Sequence, residues 1–456
     1  MRAGGTGRAA PRRTGASLML VAAALLALQG CGVFRGGGKK PATAGERVSV
    51  LDFERQVEAE AELQGVDILL PPATVNADWV KPGGNSAGAM GHLALGPSPA
   101  RIWSARIGRG SDATRRLNAT PVIAENRLFT MDTEGRVTAF DASTGRQQWQ
   151  VQLIVPGEST RPAFGGGVSI GEVPGGRRLY ATTGHGLVVA LDPATGGELW
   201  RTRMPTPLRA APGVEGNRLF VTSQDGQLSA LSGETGAILW QATATLEPAA
   251  ILGPGSPSVA LDTVVAGFPS GELFALRVEN GRTVWQDQLA RTGRTTALGA
   301  LSGIAASPVI DRGRVFAIGH GGRMAALELA TGTRVWERDF AGVNMPWSVG
   351  DWVFAVTVEA QLVALTRTDG KIRWVTQLDR WRKAKSRSGA IEWFGPVLAG
   401  DRLWLVSSRG EMAIVDPRTG EETGRMRLGH GAYLPPVVAN GILYVLTDDG
   451  TVTAYR

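Results

Sequence analysis

Few residues of this chain are of the types that do chemistry on their own, and their spacing limits what they can do. Cys31 is the single cysteine among 456 residues, and there are four histidines. Zinc-type sites take histidines and cysteines a few residues apart. His92, His185, His320 and His430 have no such neighbours. His185 and His320 sit in similar hairpin turns, His430 in a loop and His92 ahead of the repeats described below, so all four read as solvated turn residues. The run Gly165-Gly166-Gly167 reads as hairpin geometry, because no strand-to-helix junction accompanies it as a phosphate loop requires. Spacing therefore assigns no catalytic, cofactor-binding or metal residue. Cys31 has no partner for an internal disulfide, which leaves modification as its chemistry.

The residues before Cys31 say which modification. Arg2, Arg8, Arg12 and Arg13 form a positive region, Leu18 to Leu28 is an unbroken apolar run, and Gln29-Gly30 precede the cysteine. The run is shorter than the roughly 20 residues of a membrane-spanning helix and has the layout of a secretory signal. Leu28-Gln29-Gly30-Cys31 resembles a bacterial lipobox, in which the cysteine becomes the acylated first residue of the mature chain. Residues 1–30 are then the signal peptide and Cys31 the lipidation site. Each buried CH₂ contributes about 0.8 kcal/mol to anchoring, and two chains already hold firmly. Gly32 stands where an Asp would mark retention at the inner membrane, so the resemblance implies the outer membrane, with the domain facing the periplasm. The formal charge of +7 loses the four arginines of the signal and falls to +3. No dense basic face for nucleic acid is left.

These residues depend on elements that the rest of the chain must supply. Residues 31–50 are rich in glycine and lysine and read as a flexible tether. Asp52 to Leu63 has helical spacing in Phe53, Val57 and Ala61, with Asp52 as its cap. Residues 51–100 also hold Pro71, Pro72, Pro82 and Gly83-Gly84, which makes the segment irregular. It is expected to pack on the outside of the domain that follows.

That domain, residues 101–456, is one repeat. Ala139 to Trp149 (AFDASTGRQQW) returns at Ala190, Ala230, Ala275, Ala326 and Ala364, and in altered form at Ile414 to Gly424. In six copies a tryptophan follows the turn glycine after four residues, at Trp149, Trp200, Trp240, Trp285, Trp336 and Trp374. Trp103 has the matching tail but no front half, whereas Ala454 has a front half and no tail. The two ends complete one unit. Short strands separated by Glu134-Gly135, Asp225-Gly226 or Asp449-Gly450 turns, eight units in all, predict an all-β fold. It is an eight-bladed β-propeller of four-stranded antiparallel blades, closed by N- and C-terminal strands in one blade. Tryptophans at a constant offset, Trp103 included, are structural docking residues between blades rather than a ligand stripe.

The motif Ala-x-Asp-x-x-Thr-Gly-x-x-x-Trp resembles the tryptophan-docking repeat of pyrroloquinoline quinone (PQQ)-type propellers. With the lipobox and the short N-terminal segment, the chain is similar to the outer-membrane protein assembly factor B (BamB) family. The resemblance implies a non-enzymatic scaffold lipoprotein of the outer-membrane β-barrel assembly machinery, without cofactor or nucleic acid. Its partners would be the central barrel subunit, bound by its periplasmic domains, and unfolded outer-membrane proteins, with membrane contact through the lipid only. Family contact loops map onto Ile251 and Leu252, ahead of Pro257, and onto Gly303 and Ala305, ahead of Pro308. Better-studied members carry an Arg in the first loop and acidic residues in the second; this chain has neither. Read by charge, the loop Asp379 to Arg387 places Trp381, Arg382 and Lys383 where an acidic partner surface or anionic lipid would be met. Two alternatives remain open. A PQQ-dependent dehydrogenase would need a calcium-held quinone, a carboxylate base and often paired cysteines, and a ligand-sensing propeller would use the central funnel.

Overall fold

The computed structural model describes residues 57–153, 165–246, 255–289 and 303–456. Cys31, the signal and the tether lie outside these residues. Eight four-stranded antiparallel sheets are arranged as the blades of a propeller. Blade 1 consists of Val122–Ala124, Arg127–Met131, Arg136–Asp141 and Gln147–Gln152. Blades 2 to 7 repeat it over residues 166–203, 213–243, 258–288, 309–338, 347–377 and 393–427. Blade 8 takes Val437–Ala439, Ile442–Thr447 and Thr451–Tyr455 from the C-terminal end and Arg101–Arg106 as its outer strand. Trp103 pairs with Ala454 in that blade, in the register that Ala139 and Trp149 have in blade 1. First strands of neighbouring blades touch near the axis. Outer strands such as Glu198–Arg203 and Ile238–Thr243 alternate exposed and half-buried residues, as a sheet edge facing water does.

Side-chain size along one ladder explains the repeat. In blade 1 Phe129 pairs with Ala139, which pairs with Trp149. Because the middle residue is only a methyl group, the two flanking rings meet over it, 5.8 Å apart. Tyr180, Phe220, Phe316, Phe354 and Tyr444 make the same contact with Trp200, Trp240, Trp336, Trp374 and Trp103. Each indole N–H then donates to a carbonyl of the next blade, as Trp103 does to Ala142 at 3.1 Å and Trp285 to Leu329 at 2.7 Å. The other five make the same bond, to Pro193, Gly233, Val278, Arg367 and Pro417. The turn glycine of that next blade lies flat on the ring. Gly145 has φ +72°, and a Cβ there would fall 2.5 Å from Trp103 Cε3, so the position excludes every side chain.

Blade 7 breaks the pattern for a reason visible in blade 8. Docking requires a turn between the third and fourth strands of the next blade, and in blade 8 those strands come from opposite ends of the chain. No turn exists there to receive an indole. Gly424 accordingly replaces the tryptophan, Ile414 the alanine, and the large ring moves to Trp404, whose N–H bonds Ala399 within its own blade at 2.9 Å.

The N-terminal segment is on the outside only at its start, where Glu60 N–H donates to Ile372 O and Val66 O accepts from Arg373, both in the outer strand of blade 6. From Thr74 to Leu93 it lies along the innermost strands and fills the centre of the ring. Trp79 and Ile123 exchange backbone bonds of 2.7 and 2.8 Å, Ile170 donates to Val80, Val259 to Ser86 and Ile310 to Ala87, and Leu93 donates to Leu398. The first strands would otherwise leave an edge of unpaired N–H and C=O groups facing the channel, and the segment satisfies them blade by blade. Its bonding partners thus come from successive blades instead of from a strand of its own. The expected helix over Asp52 to Leu63 is also corrected: within the described residues it amounts to a single 3₁₀ turn, Ala61–Leu63. Glu60 is extended and donates its N–H to Ile372.

Candidate functional site

Strand direction sorts the loops between two faces. Connectors from the outer strand of one blade to the inner strand of the next emerge on one face, together with the turns between second and third strands. The docking turns emerge on the other. Gly303, Ala305, Trp381, Arg382 and Lys383 all belong to connectors, so the structure brings them to one face. Ile251 and Leu252 lie outside the described residues.

Gly303 and Ala305 flank Ile304, whose side chain is buried and whose N–H donates to Phe268 at 3.0 Å. The carbonyl of Gly303 accepts from His320 N at 3.1 Å. These bonds fix the stretch against blade 4, leaving Gly303 and Ala305 half-buried. Ala305 lines the mouth of the central funnel.

The basic loop forms a hairpin of its own, Trp381–Lys383 against Ser388–Ala390, with Trp381 opposite Ala390. Ala384–Ser386 makes the tip and Arg387 takes the left-handed region at φ 47°. Arg380 stacks on the Trp381 ring at 5.2 Å. The guanidinium of Arg382 donates to Ser408 O at 2.7 Å, tying the hairpin base to blade 7. The one acid, Asp379, is engaged by Arg425 at 2.5 Å and Arg409 at 3.7 Å. Carboxylates of Glu422 and Asp379 in turn raise the guanidinium pKa of Arg425 above its usual range. With Asp379 paired to Arg425 and Arg409 of blade 7, residues 382–387 present their cations to solvent, all of them exposed.

Above the N-terminal segment the channel opens as a funnel of about 720 Å³. Trp79, Pro82 and Gly83 form its floor, and the approaches to seven first strands form its wall. Trp79 and Trp347 stack at 6.3 Å, with Trp347 Nε1 donating to Gly91 O at 2.8 Å. Below the floor, Lys81 is wholly buried, its Nζ within 3.2 Å of Pro82 O and 3.3 Å of Ser258 Oγ. Burial alone brings its pKa down to about 7. The wall carries Arg116 and Arg209, and its described residues include no Asp, Glu, His or Cys. A calcium ion takes oxygen ligands that include carboxylates. That donor set is missing from the described lining, so these residues do not fit a calcium-held quinone. Among the described residues no group of three or more His, Cys, Asp and Glu could hold a metal, and no helix is long and apolar enough to cross a membrane.

Two expectations need revision. His92 is not a solvated turn residue: it is buried, with Nδ1 2.7 Å from Pro71 O and Nε2 accepting from Asp401 N at 3.0 Å. It pins the N-terminal segment to blade 7. His320 is only half-buried and its Nδ1 has no hydrogen-bond partner. The run Gly165-Gly166-Gly167 is the start of the inner strand of blade 2, where a Cβ on Gly166 would lie 2.2 Å from Thr182 O. Sequence reasoning missed Trp79, Arg209 and Ser256 of the funnel. Trp79 alone had a signal, as a tryptophan ahead of the repeats.

Comparison with known proteins agrees with this architecture. A family described as outer membrane protein assembly factor BamB matches residues 94–151, 133–376 and 378–456. A protein of that name from Salmonella typhimurium (strain LT2) is 31% identical over 364 residues, 78% of this chain and 88% of its own. Its counterpart from Escherichia coli (strain K12) is 32% identical over 359 residues, with the same coverage. Among solved structures, BamB from Moraxella catarrhalis superposes with a TM-score of 0.65 at 18% identity, covering 79% of this chain and 100% of that one. A quinohemoprotein alcohol dehydrogenase from Comamonas testosteroni gives 0.64 at 15% identity, covering 84% and 81%. At these identities the two structures share the fold with this chain.

Proposed function

Since the chain belongs to the outer membrane protein assembly factor BamB family, we propose that it is an accessory scaffold of the outer-membrane β-barrel assembly machinery, not an enzyme. It is held at the outer membrane by acyl chains on Cys31, with the propeller in the periplasm, and it binds the central barrel subunit through that subunit's periplasmic domains. The observation that supports this reading beyond family membership is the gathering of connectors on one face. Gly303, Ala305 and the hairpin with Trp381, Arg382 and Lys383 all lie on it. The acids and Arg of the family contact are not at these positions. Attraction to an acidic patch of the partner is then carried by the hairpin, whose exposed cations speed encounter and fix orientation. Outer strands such as Ile238–Thr243 offer an unpaired edge to an extended unfolded client.

Crosslinking in the native envelope, followed by identification of the captured protein, tests the role. Recovery of the barrel-assembly subunit supports it, whereas recovery of a dehydrogenase or a transporter refutes it. Arg382→Glu combined with Lys383→Glu should lower co-purification with the barrel complex and leave the propeller folded, with only the small loss of melting temperature that goes with the Arg382–Ser408 bond. Unaltered co-purification would remove the hairpin from the interface.

A further inference from the structure

The floor and wall of the funnel hold two buried hydrogen-bonding groups that have no partner among the described residues. Trp79 is 2% exposed and its Nε1 has no partner; Ser256 is 3% exposed and its Oγ has none either. Every docking indole of the ring, by contrast, donates to a carbonyl, so an orphaned indole N–H is an exception within this fold. A buried donor without an acceptor costs about 1–3 kcal/mol, which makes each of these groups a place where a ligand atom gains more than in water.

Charge points the same way. Of the two arginines in the wall, Arg116 is engaged internally, 3.6 Å from Asp448 and stacked on Tyr433 at 5.2 Å. Arg209 is half-buried, and its described side-chain partner is the neutral amide oxygen of Gln224, at 2.8 and 3.2 Å. Burial lowers its pKa with no carboxylate to offset the effect. An anion from outside would supply what Arg209 lacks. The rest of the wall is apolar, with Ala211, Val343, Met345, Val397 and Leu434 around the stacked Trp79 and Trp347. The volume is in the range of pockets that enclose small organic molecules, roughly 300–1,000 Å³.

We propose that the funnel is a binding site for a small organic carboxylate with a flat apolar body, taken without a metal. Its carboxylate meets Arg209 and accepts from the Ser256 hydroxyl and the Trp79 indole, and its body lies against the apolar wall. The site goes beyond the assembly role: it shares only Ala305, at its mouth, with the connector residues named for that role, uses no hairpin residue, and would stand if the scaffold reading fell.

The test uses the purified protein and two probes of equal shape, 2-naphthoate and the neutral 2-naphthalenemethanol. Binding is followed by the indole N–H resonance of Trp79, assigned by its loss in Trp79→Phe. The resonance should move saturably with naphthoate, and the alcohol should bind about tenfold or more weakly, as expected for loss of a charge-assisted bond. Arg209→Gln should weaken naphthoate by a similar factor at an unchanged melting temperature, and Ser256→Ala should weaken it less. Equal binding of acid and alcohol, a Trp79 resonance that does not respond, or an Arg209→Gln protein that binds naphthoate as the parent does would each overturn the proposal. So would binding of PQQ that requires calcium, because it would return the funnel to metal-held quinone chemistry.

Discussion

Lys81→Met should change how the stability of this protein depends on pH. Lys81 is fully buried at the centre of the ring and its pKa falls from 10.5 in an exposed chain to about 7. Between these values the unfolded chain binds more protons than the folded one, so stability rises with pH across that window and is lost as pH falls toward 7. The slope is about 1.4 kcal/mol per pH unit in the middle of the window. Integrated, holding Lys81 in place costs about 4 kcal/mol at pH 7 and about 1.4 kcal/mol at pH 9.5. Methionine fills a similar volume and carries no charge, although it gives up the bonds to Pro82 O and Ser258 Oγ. Ser258 keeps its own bond to Pro308 O at 2.7 Å. The unfolding free energy of Lys81→Met minus that of the parent should therefore fall by about 3 kcal/mol from pH 7 to pH 9.5, whatever its value at pH 7. Urea titrations at half-unit steps measure it. Stopping at pH 9.5 avoids Tyr180 and Tyr444, which burial raises above their usual range and whose folded forms resist ionisation at higher pH. Parallel curves for the two proteins over that interval would show that Lys81 is hydrated or paired, and the account of the channel centre would be wrong.

Further outcomes follow from the docking geometry and from the anchor. Gly370 and Gly429 both have positive φ, but only at Gly370 would a Cβ strike a ring, 2.5 Å from Trp336 Cδ2. Gly429→Ala should cost about 1 kcal/mol and Gly370→Ala roughly 3 kcal/mol or more, read from urea midpoints. Trp374→Ala should cost about 3–5 kcal/mol, whereas Gly424→Trp should gain less than about 1 kcal/mol, since blade 8 offers no turn to dock on; a clear gain would contradict the explanation of blade 7. Cys31→Ser should shift the protein from the membrane pellet to the soluble periplasmic fraction without altering its melting temperature, and retention in the pellet would point to a second attachment.

The parts of this fold that could be read from the sequence are those in which cause and effect lie within one repeat. Ala139, Gly145 and Trp149 recur together because strand pairing, turn and docking use residues within one unit and the next, so their spacing survives as a pattern. The closing pair Trp103 and Ala454 was legible for the same reason, as two fragments of one pattern. Residues 57–100 carry no such record. Trp79, Val80, Ser86, Ala87 and Leu93 bond to blades 1, 2, 4, 5 and 7, and no periodicity can encode partners that arrive from successive blades. His92 was misread on the same account, because its burial depends on Asp401, more than 300 residues away. The funnel residues were invisible since Arg209 and Ser256 precede two different first strands and meet only when the ring closes.

Ring closure also accounts for where the N-terminal segment is most firmly held. Six junctions between neighbouring blades within the repeat, and the junction of blade 8 with blade 1, each have an indole locked under a turn; the junction of blade 7 with blade 8 has none. The segment crosses there. Leu93 donates to Leu398 and accepts from Gly400, both in blade 7, while Asn76 Nδ2 donates to Val438 O at 2.7 Å and Asn76 O accepts from Asn440, both in blade 8. Thr74 joins the two, bridging to Leu93 and accepting at its carbonyl from Ala94 at 2.8 Å. Ile68, Trp79 and Leu93 enter the same apolar cluster as Leu405, Val437 and Tyr444. Hydrogen bonds and burial from outside the repeat thus replace the missing clasp at the one seam where the chain ends preclude it. The segment that seals the ring also forms the floor of the funnel, so the shape of that cavity is set by the same residues that hold the last two blades together.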